Sequence, residues 1–156
     1  MKAVVQRVSQ ARVEVDSPAG APEVVGRIGA GLLVLVCAMP TDTQATADKL
    51  LDKLLKLRVF ANAQGKLDHA LPNIDGQGRV GGLLLVSQFT LSADTKKGNR
   101  PSFAGSAPPE QARALFDYLV AQARRIHPDV ATGRFATEMQ VHLVNSGPIT
   151  IPLDID

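Results

Sequence analysis

The stretch Leu83-Leu84-Leu85-Val86-Ser87-Gln88-Phe89-Thr90-Leu91 decides the architecture. Its four leading apolar residues read as a central strand covered on both faces. The run then turns polar at Ser87-Gln88-Phe89-Thr90, where a core strand would ordinarily stay apolar, and that change marks a candidate site. The plain alternative is that Ser87 and Thr90 merely bond neighbouring backbone.

Toward the N-terminus, the period of Thr43–Leu57 is helical, with Ala47, Leu50, Leu51, Leu54 and Leu55 on one face and Thr41, Asp42 or Thr43 as N-cap. Glu23–Ile28 and Gly31–Met39 read as two strands of a hairpin, and 16–22, with two prolines and a glycine, as a turn or loop. Val4–Val15 reads as a strand whose phase changes near Ser9-Gln10, which requires a bulge or turn. Arg7 falls in phase with Ala3 and Val5; if that face is buried, its guanidinium needs an acceptor there.

Toward the C-terminus, Pro108 and Pro109 suit the first turn of a helix whose stripe is Ala112, Leu115, Phe116, Leu119, Ala123 and Ile126, ended by Pro128. Met139, Val141 and Leu143 alternate, Asn145-Ser146-Gly147-Pro148 interrupts, and Ile149–Ile155 resumes: strand, turn, strand. The order of hairpins, helix, strands, helix and strands predicts an α+β fold.

A chain of 156 residues, 45% apolar and 21% charged, has the balance of one folded domain spanning 1–156. The apolar runs are too short for a membrane helix and the N-terminus lacks a signal-peptide core, so the expectation is a cytoplasmic protein without a membrane partner. Cys37, the one cysteine, sits in an apolar run and reads as a small hydrophobe rather than a nucleophile. The net charge of +2 announces no nucleic acid, but Lys96, Lys97 and Arg100 cluster beside Phe103. By itself that cluster reads as a solvated loop.

His69, His127 and His142 lack metal-site spacing, so neither metal nor cofactor is expected. His127 reads as a helix-end residue and His142 as a strand residue among core positions. No Gly-x-Ser-x-Gly elbow, P-loop or dinucleotide fingerprint occurs. In Asn145-Ser146-Gly147-Pro148 the Gly-Pro bond is one that adopts cis at modest cost; an ordinary turn is the alternative.

Read together, these segments resemble the D-aminoacyl-tRNA deacylases. The opening Met1-Lys2-Ala3-Val4-Val5-Gln6-Arg7-Val8, the motifs Ser87-Gln88-Phe89-Thr90-Leu91 and Asn145-Ser146-Gly147-Pro148-Ile149-Thr150, and between them Lys97-Gly98-Asn99-Arg100-Pro101-Ser102-Phe103, Gly133-Arg134-Phe135 and Met139-Gln140-Val141 follow that family's order across the chain. The sequence departs from it in a longer 16–22 loop, in Ser92 where an aromatic is common, and at Ala136-Thr137-Glu138.

The resemblance implies a compact antiparallel, barrel-like sheet with two main helices. It also implies a homodimer in which a Gly-cisPro element, Gly147-Pro148, reaches into the partner's site and is anchored by Arg7. D-aminoacyl-tRNA would be the substrate, mischarged glycyl-tRNA included. Phe135 and Met139 would hold its 3′-terminal adenosine, with Lys96, Lys97 and Arg100 near the RNA. Ester hydrolysis would use backbone N–H groups near Phe89 and Thr90 as oxyanion donors, shaped by Ser87 and Gln88. Thr90 has no base beside it in the motif, which favours a positioning role with the substrate's ribose hydroxyl assisting. Two other readings stand: a non-catalytic tRNA- or RNA-binding dimer, and the sister group acting on L-alanyl-tRNA, which carries different residues at the first motif.

Overall fold

In chain order the elements are β1 (Lys2–Val15), β2 (Glu23–Ile28), β3 (Gly31–Cys37), α1 (Gln44–Lys56), β4 (Phe60–Ala61), β5 (Leu67–His69), β6 (Gly82–Ser87), α2 (Pro109–Ile126), β7 (Val130–Thr132) and β8 (Met139–Asp154). They are those of a computed structural model that describes residues 1–18 and 20–156. Ala19, within the turn expected at 16–22, lies outside the described residues.

The apolar run Leu83–Val86 is the spine. β6 lies between β3 and β7 and is parallel to both. Leu83 and Leu85 pack against Leu50 and Leu54 of α1 and Leu119 of α2. Leu84 and Val86 point the other way, into a second apolar layer with Val8, Val13 and Leu33. All four are at most 1% exposed, and each such burial contributes about 1.5–3 kcal/mol. The sheet is therefore mixed, not antiparallel throughout. The cause is connectivity: α1 carries the chain from β3 back to β6, and α2 from β6 to β7, and such helical crossovers make neighbours parallel.

β2 and β3 do not form the expected hairpin. Both run antiparallel to β1, end to end, so that Ala11 faces Ile28 in β2 and Val8 faces Gly31 in β3. The chain reverses between the end of β1 at Val15 and the start of β2 at Glu23, whereas Gly29 and Ala30 only interrupt the second arm. The phase change expected near Ser9-Gln10 is present: the β1–β8 register shifts between Val8 and Gln10. It moves β1 from the layer under the helices, where Ala3 and Val5 are buried, to the layer of Val8, Ala11 and Val13.

β8 runs along the other edge of β1 as one strand, in place of the expected strand, turn, strand. Gln6 faces Thr150 and Val8 faces Asn145, so Arg7 alone stands opposite Ser146-Gly147-Pro148-Ile149. That segment loops out of the ladder. On the far side β7 returns to β2 and nearly closes the barrel: a Cβ on Gly26 would lie 2.3 Å from the Thr132 carbonyl oxygen, a distance glycine alone tolerates.

Both helices lie where the periodicity puts them. Thr43 caps α1, its N–H donating to Thr46 Oγ1 at 3.1 Å. Asp42 instead accepts from the buried N-terminal ammonium at 2.7 Å and from the Met39 N–H at 2.6 Å. The buried face of α2 ends at Ala123, because Ile126 is 56% exposed. His127 caps that end: its N–H donates to Ala123 O, and its buried ring bonds Gly81 O at 2.7 Å. Among the described residues no helix is long and apolar enough to cross a membrane.

Candidate active site

β3 and β6 end side by side, with Val36 opposite Ser87. Between these strand ends, the start of α2 and the segment leading into β8 lies a cleft of about 810 Å³. Ser87, Gln88 and Phe89 line it together with Phe135, Met139 and Phe103. Strand, helix-entry loop and β8 entry, each singled out in the sequence for a different reason, thus meet in one place.

The polar segment is not a strand end. β6 stops at Ser87, Gln88 takes φ −143° and ψ 77°, and Phe89–Ser92 form a 3-10 turn. The Gln88 N–H still reaches Val36 O at 2.7 Å, continuing the ladder by one bond. Leu91 is the first residue of the turn to donate within it, to Gln88 O at 3.2 Å, so the Phe89 and Thr90 N–H groups precede the turn's own bonds. Thr90 is exposed, and its hydroxyl accepts from Gln88 Nε2. No histidine, lysine or carboxylate accompanies it among the hydrogen bonds of the described residues.

Cys37 is buried, as its apolar setting predicts, and it also lines the cleft. Its Sγ lies 3.5 Å from Phe89 O. Burial pushes the thiol above its ordinary pKa, which keeps it protonated and a poor nucleophile.

Phe135 is held by α2: its ring is 6.1 Å from that of Phe116, and the Arg113 guanidinium lies 4.7 Å above it. Met139 Sδ accepts from the Arg134 N–H at 3.3 Å. Phe103 meets Phe89 edge-on at 5.1 Å, which fastens the loop carrying Lys96, Lys97 and Arg100 beside the cleft. Those three side chains are exposed and do not line it.

Gly147 and Pro148 are exposed, do not line the cleft, and are joined by a cis peptide. Gly147 has φ +139°, a region that L residues avoid. Arg7 has the acceptors its phase demanded. Its Nε donates to Ser146 O at 2.8 Å and its Nη1 to Val59 O at 2.7 Å, tying the β8 excursion to the segment after α1. Asn145 closes the excursion at its base, accepting the Ile149 N–H at 2.8 Å.

A second hollow, lined by Arg12, Arg27 and His142, holds none of the expected residues. Beside it Glu14 bridges Arg12 at 2.6 Å and His142 at 3.2 Å, and the arginine keeps that carboxyl below its usual range. Two groups lining the main cleft, Cys37 and Ser106, and two that contact its lining from behind, Ser92 on Phe89 and Arg113 on Phe135, were not singled out as functional in the sequence. Ser92 alone had left a trace, as a departure from the resembling pattern.

The family model of D-Tyr-tRNA(Tyr) deacylase matches residues 4–154. The chain belongs to that family. It is similar to the D-aminoacyl-tRNA deacylase of Polaromonas naphthalenivorans, 63% identical over 155 residues that cover 99% of this chain and 97% of the relative. The Burkholderia vietnamiensis D-aminoacyl-tRNA deacylase is 57% identical, with 99% of each chain covered. Among solved structures, a c-Myc DNA unwinding element binding protein superposes with TM-score 0.85 at 38% identity, covering 99% of this chain and 98% of the other. A probable eukaryotic D-amino acid tRNA deacylase superposes with TM-score 0.81 over the same shares at 17% identity, a likeness of fold. As a family member the chain is a hydrolase, a deacylase, and the α+β barrel with two helices is the family fold.

Proposed function

We propose that the chain hydrolyses the ester joining a D-amino acid to the 3′-terminal adenosine of tRNA, and that it does so as a homodimer. The observation that carries this reading is the meeting of Ser87, Gln88 and Phe89 with Phe135 and Met139 in one cleft. Phe135 and Met139 give an aromatic face and a thioether against which a base packs. The N–H groups of Phe89 and Thr90 stabilise the oxyanion as water attacks the ester carbonyl; the tRNA 3′ oxygen leaves and takes a proton. The terminal ribose hydroxyl assists, and Thr90, held by Gln88, positions the substrate. Lys96, Lys97 and Arg100 meet the RNA backbone as point charges.

Chirality belongs to the excursion on β8. In the dimer, Gly147 and Pro148 enter the partner's cleft, where their carbonyls accept the substrate's α-amino group and fill the volume an L side chain needs. Such exclusion ignores side-chain identity. A side-chain pocket would separate similar residues only about 10–200-fold. Glycine, having nothing to exclude, passes, so mischarged glycyl-tRNA is hydrolysed too. The longer loop at 16–22 has no part in this reading.

Incubation with D-Tyr-tRNA and L-Tyr-tRNA tests it: D-tyrosine is released catalytically and L-tyrosine is not. In the same assay Thr90→Ala slows the reaction about tenfold, the loss of one positioning hydrogen bond. A loss of several orders of magnitude with binding intact would transfer the chemistry to the threonine hydroxyl. The second reading, a nucleic-acid-binding dimer without catalysis, draws on the exposed Lys96, Lys97 and Arg100 and on the likeness to a DNA unwinding element binding protein. Absence of turnover with retained, salt-sensitive RNA binding would favour it.

A further inference from the structure

The turn after β6 is gripped from behind by hydroxyls that no step of the proposed reaction uses. Ser92 is 9% exposed, and its Oγ donates to Phe89 O at 2.7 Å. With its one proton committed there, Ser92 Oγ meets Ser106 Oγ as an acceptor, so Ser106 is the donor. The chain runs Ser106 O–H to Ser92 O–H to the Phe89 carbonyl, and Cys37 Sγ approaches the same carbonyl at 3.5 Å. A serine bonding back to the carbonyl three residues earlier is an ordinary habit of turns. A second hydroxyl, brought onto it from fourteen residues further along, is not. Ser106 lies in the loop that lines the cleft beside Phe103, and its own N–H donates to Phe103 O at 3.0 Å.

The Phe89 carbonyl belongs to the same planar unit as the Thr90 N–H, and in a trans peptide the two point in opposite directions. Holding the oxygen therefore aims the hydrogen. We propose that Ser92 and Ser106 are positioning residues of the deacylase, a hydroxyl relay that fixes the Phe89–Thr90 peptide plane and so aims the Thr90 N–H at the developing oxyanion. Hydrogen bonding to the carbonyl also polarises the peptide, which strengthens that N–H as a donor. The inference rests on the reading in which backbone N–H groups stabilise the oxyanion. It gives a role to the position at which this sequence departs from the family's usual aromatic.

Single-turnover deacylation of D-Tyr-tRNA, run beside tRNA binding and Tm, tests the relay. Ser92→Ala lowers the rate about 10–100-fold, a fraction of what losing a whole oxyanion donor costs, while binding stays within about 3-fold because Ser92 is buried and does not line the cleft. Ser106→Ala loses less, since the Ser92 bond remains. The double variant is no slower than Ser92→Ala alone, because Ser106 acts only through Ser92. Ser92→Thr, which keeps the hydroxyl, recovers most of the rate. An unchanged rate in Ser92→Ala overturns the proposal, and so does an additive double variant. If Ser92→Ala folds poorly, the Ser106→Ala rate against its own Tm decides: slowing without a fall in Tm supports the relay, and slowing only in step with Tm overturns it. Thr90→Ala separates the two levels. If it retains activity while Ser92→Ala is silent, the relay alone fails; if it is inactive with binding intact, the oxyanion reading fails first.

Discussion

The two interrupted strands, β6 and β8, are built in opposite ways. Where β6 breaks, the chain turns inward: Gln88 and Phe89 are bonded to β3, Ser92 to Ser106 and to the Phe89 carbonyl, and Ser87, Gln88 and Phe89 line the cleft. Where β8 breaks, the chain turns outward: Ser146–Ile149 loop away from β1, Gly147 and Pro148 are exposed, and the anchors are Arg7 from beneath and Asn145 at the base. The first is a finished surface, and the second is a projection. Recess and tip do not meet within one chain; under the proposed function a two-fold dimer would bring them together twice.

The largest expected effect falls on the tip. A Cβ at Gly147 would lie 3.0 Å from Arg7 Nη2 and 3.0 Å from the Ile149 nitrogen, at a φ that already disfavours it. Gly147→Ala should therefore displace the tip by a fraction of an ångström or more. D-Tyr-tRNA deacylation should fall about 100-fold, the usual cost of misplacing a positioning group, with Tm little changed. A comparable loss of the β6 turn's own hydrogen bonds, seen by amide exchange in the same variant, would break the separation of the two regions.

Arg7→Lys comes next. One ammonium cannot reproduce a guanidinium that reaches Ser146 O and Val59 O from two nitrogens. Deacylation should drop about tenfold, the factor that 1.4 kcal/mol represents and near the loss of one charge-assisted bond, and discrimination against L-Tyr-tRNA should fall with it. Kinetics with both substrates check this.

A smaller effect concerns Cys37 in the recess. Its folded thiol titrates above the unfolded one because burial penalises the thiolate. The stability it contributes is complete below the unfolded thiol's pKa and is lost as pH rises through that value toward the folded one. Alkylation of the native protein at neutral pH should be far slower than of the unfolded chain, and urea midpoints should begin to fall only above about pH 8.5. Cys37→Ala should abolish that part of the alkaline slope.

The smallest effect lies on the recess side, at Ala136, which adopts φ +57°. Ala136→Gly relieves the left-handed strain at a cost in unfolded-state entropy. The urea midpoint should move by no more than about 1 kcal/mol equivalent, upward.

Sequence legibility followed the same division. Leu83–Val86 announced a strand buried on both faces because both of its faces are apolar, and the two helices announced themselves by period. The parallel pairing of β3, β6 and β7 was hidden, since it arises from crossovers and leaves no local pattern. β4, β5 and β7 are too short to show one. At the recess, Ser87–Thr90 stood out as polar residues following a core run, whereas Ser106 did not and Ser92 showed only as a departure from the resembling pattern. A hydroxyl pair joined across fourteen residues carries no spacing signal. At the tip, the phase of Arg7 called for an acceptor if that face is buried, and the acceptors are the Ser146 and Val59 carbonyls. That β8 runs on past the motif as one strand was not legible, because Asn, Ser, Gly and Pro write a turn in any local reading.

The claim that recess and tip come from different protomers is tested most directly by complementation. Gly147→Ala, defective in the tip, is mixed with Phe89→Ala, defective in the recess, after each is shown to be nearly inactive alone, and the subunits are exchanged to equilibrium. If the site is built across the two-fold axis, half of the dimers are mixed and each has one intact site, so D-Tyr-tRNA deacylation recovers to about a quarter of the unaltered protein's rate. If recess and tip serve the same protomer, every site in every dimer keeps one defect. Activity that stays at the level of the separate variants after proven exchange would contradict the account.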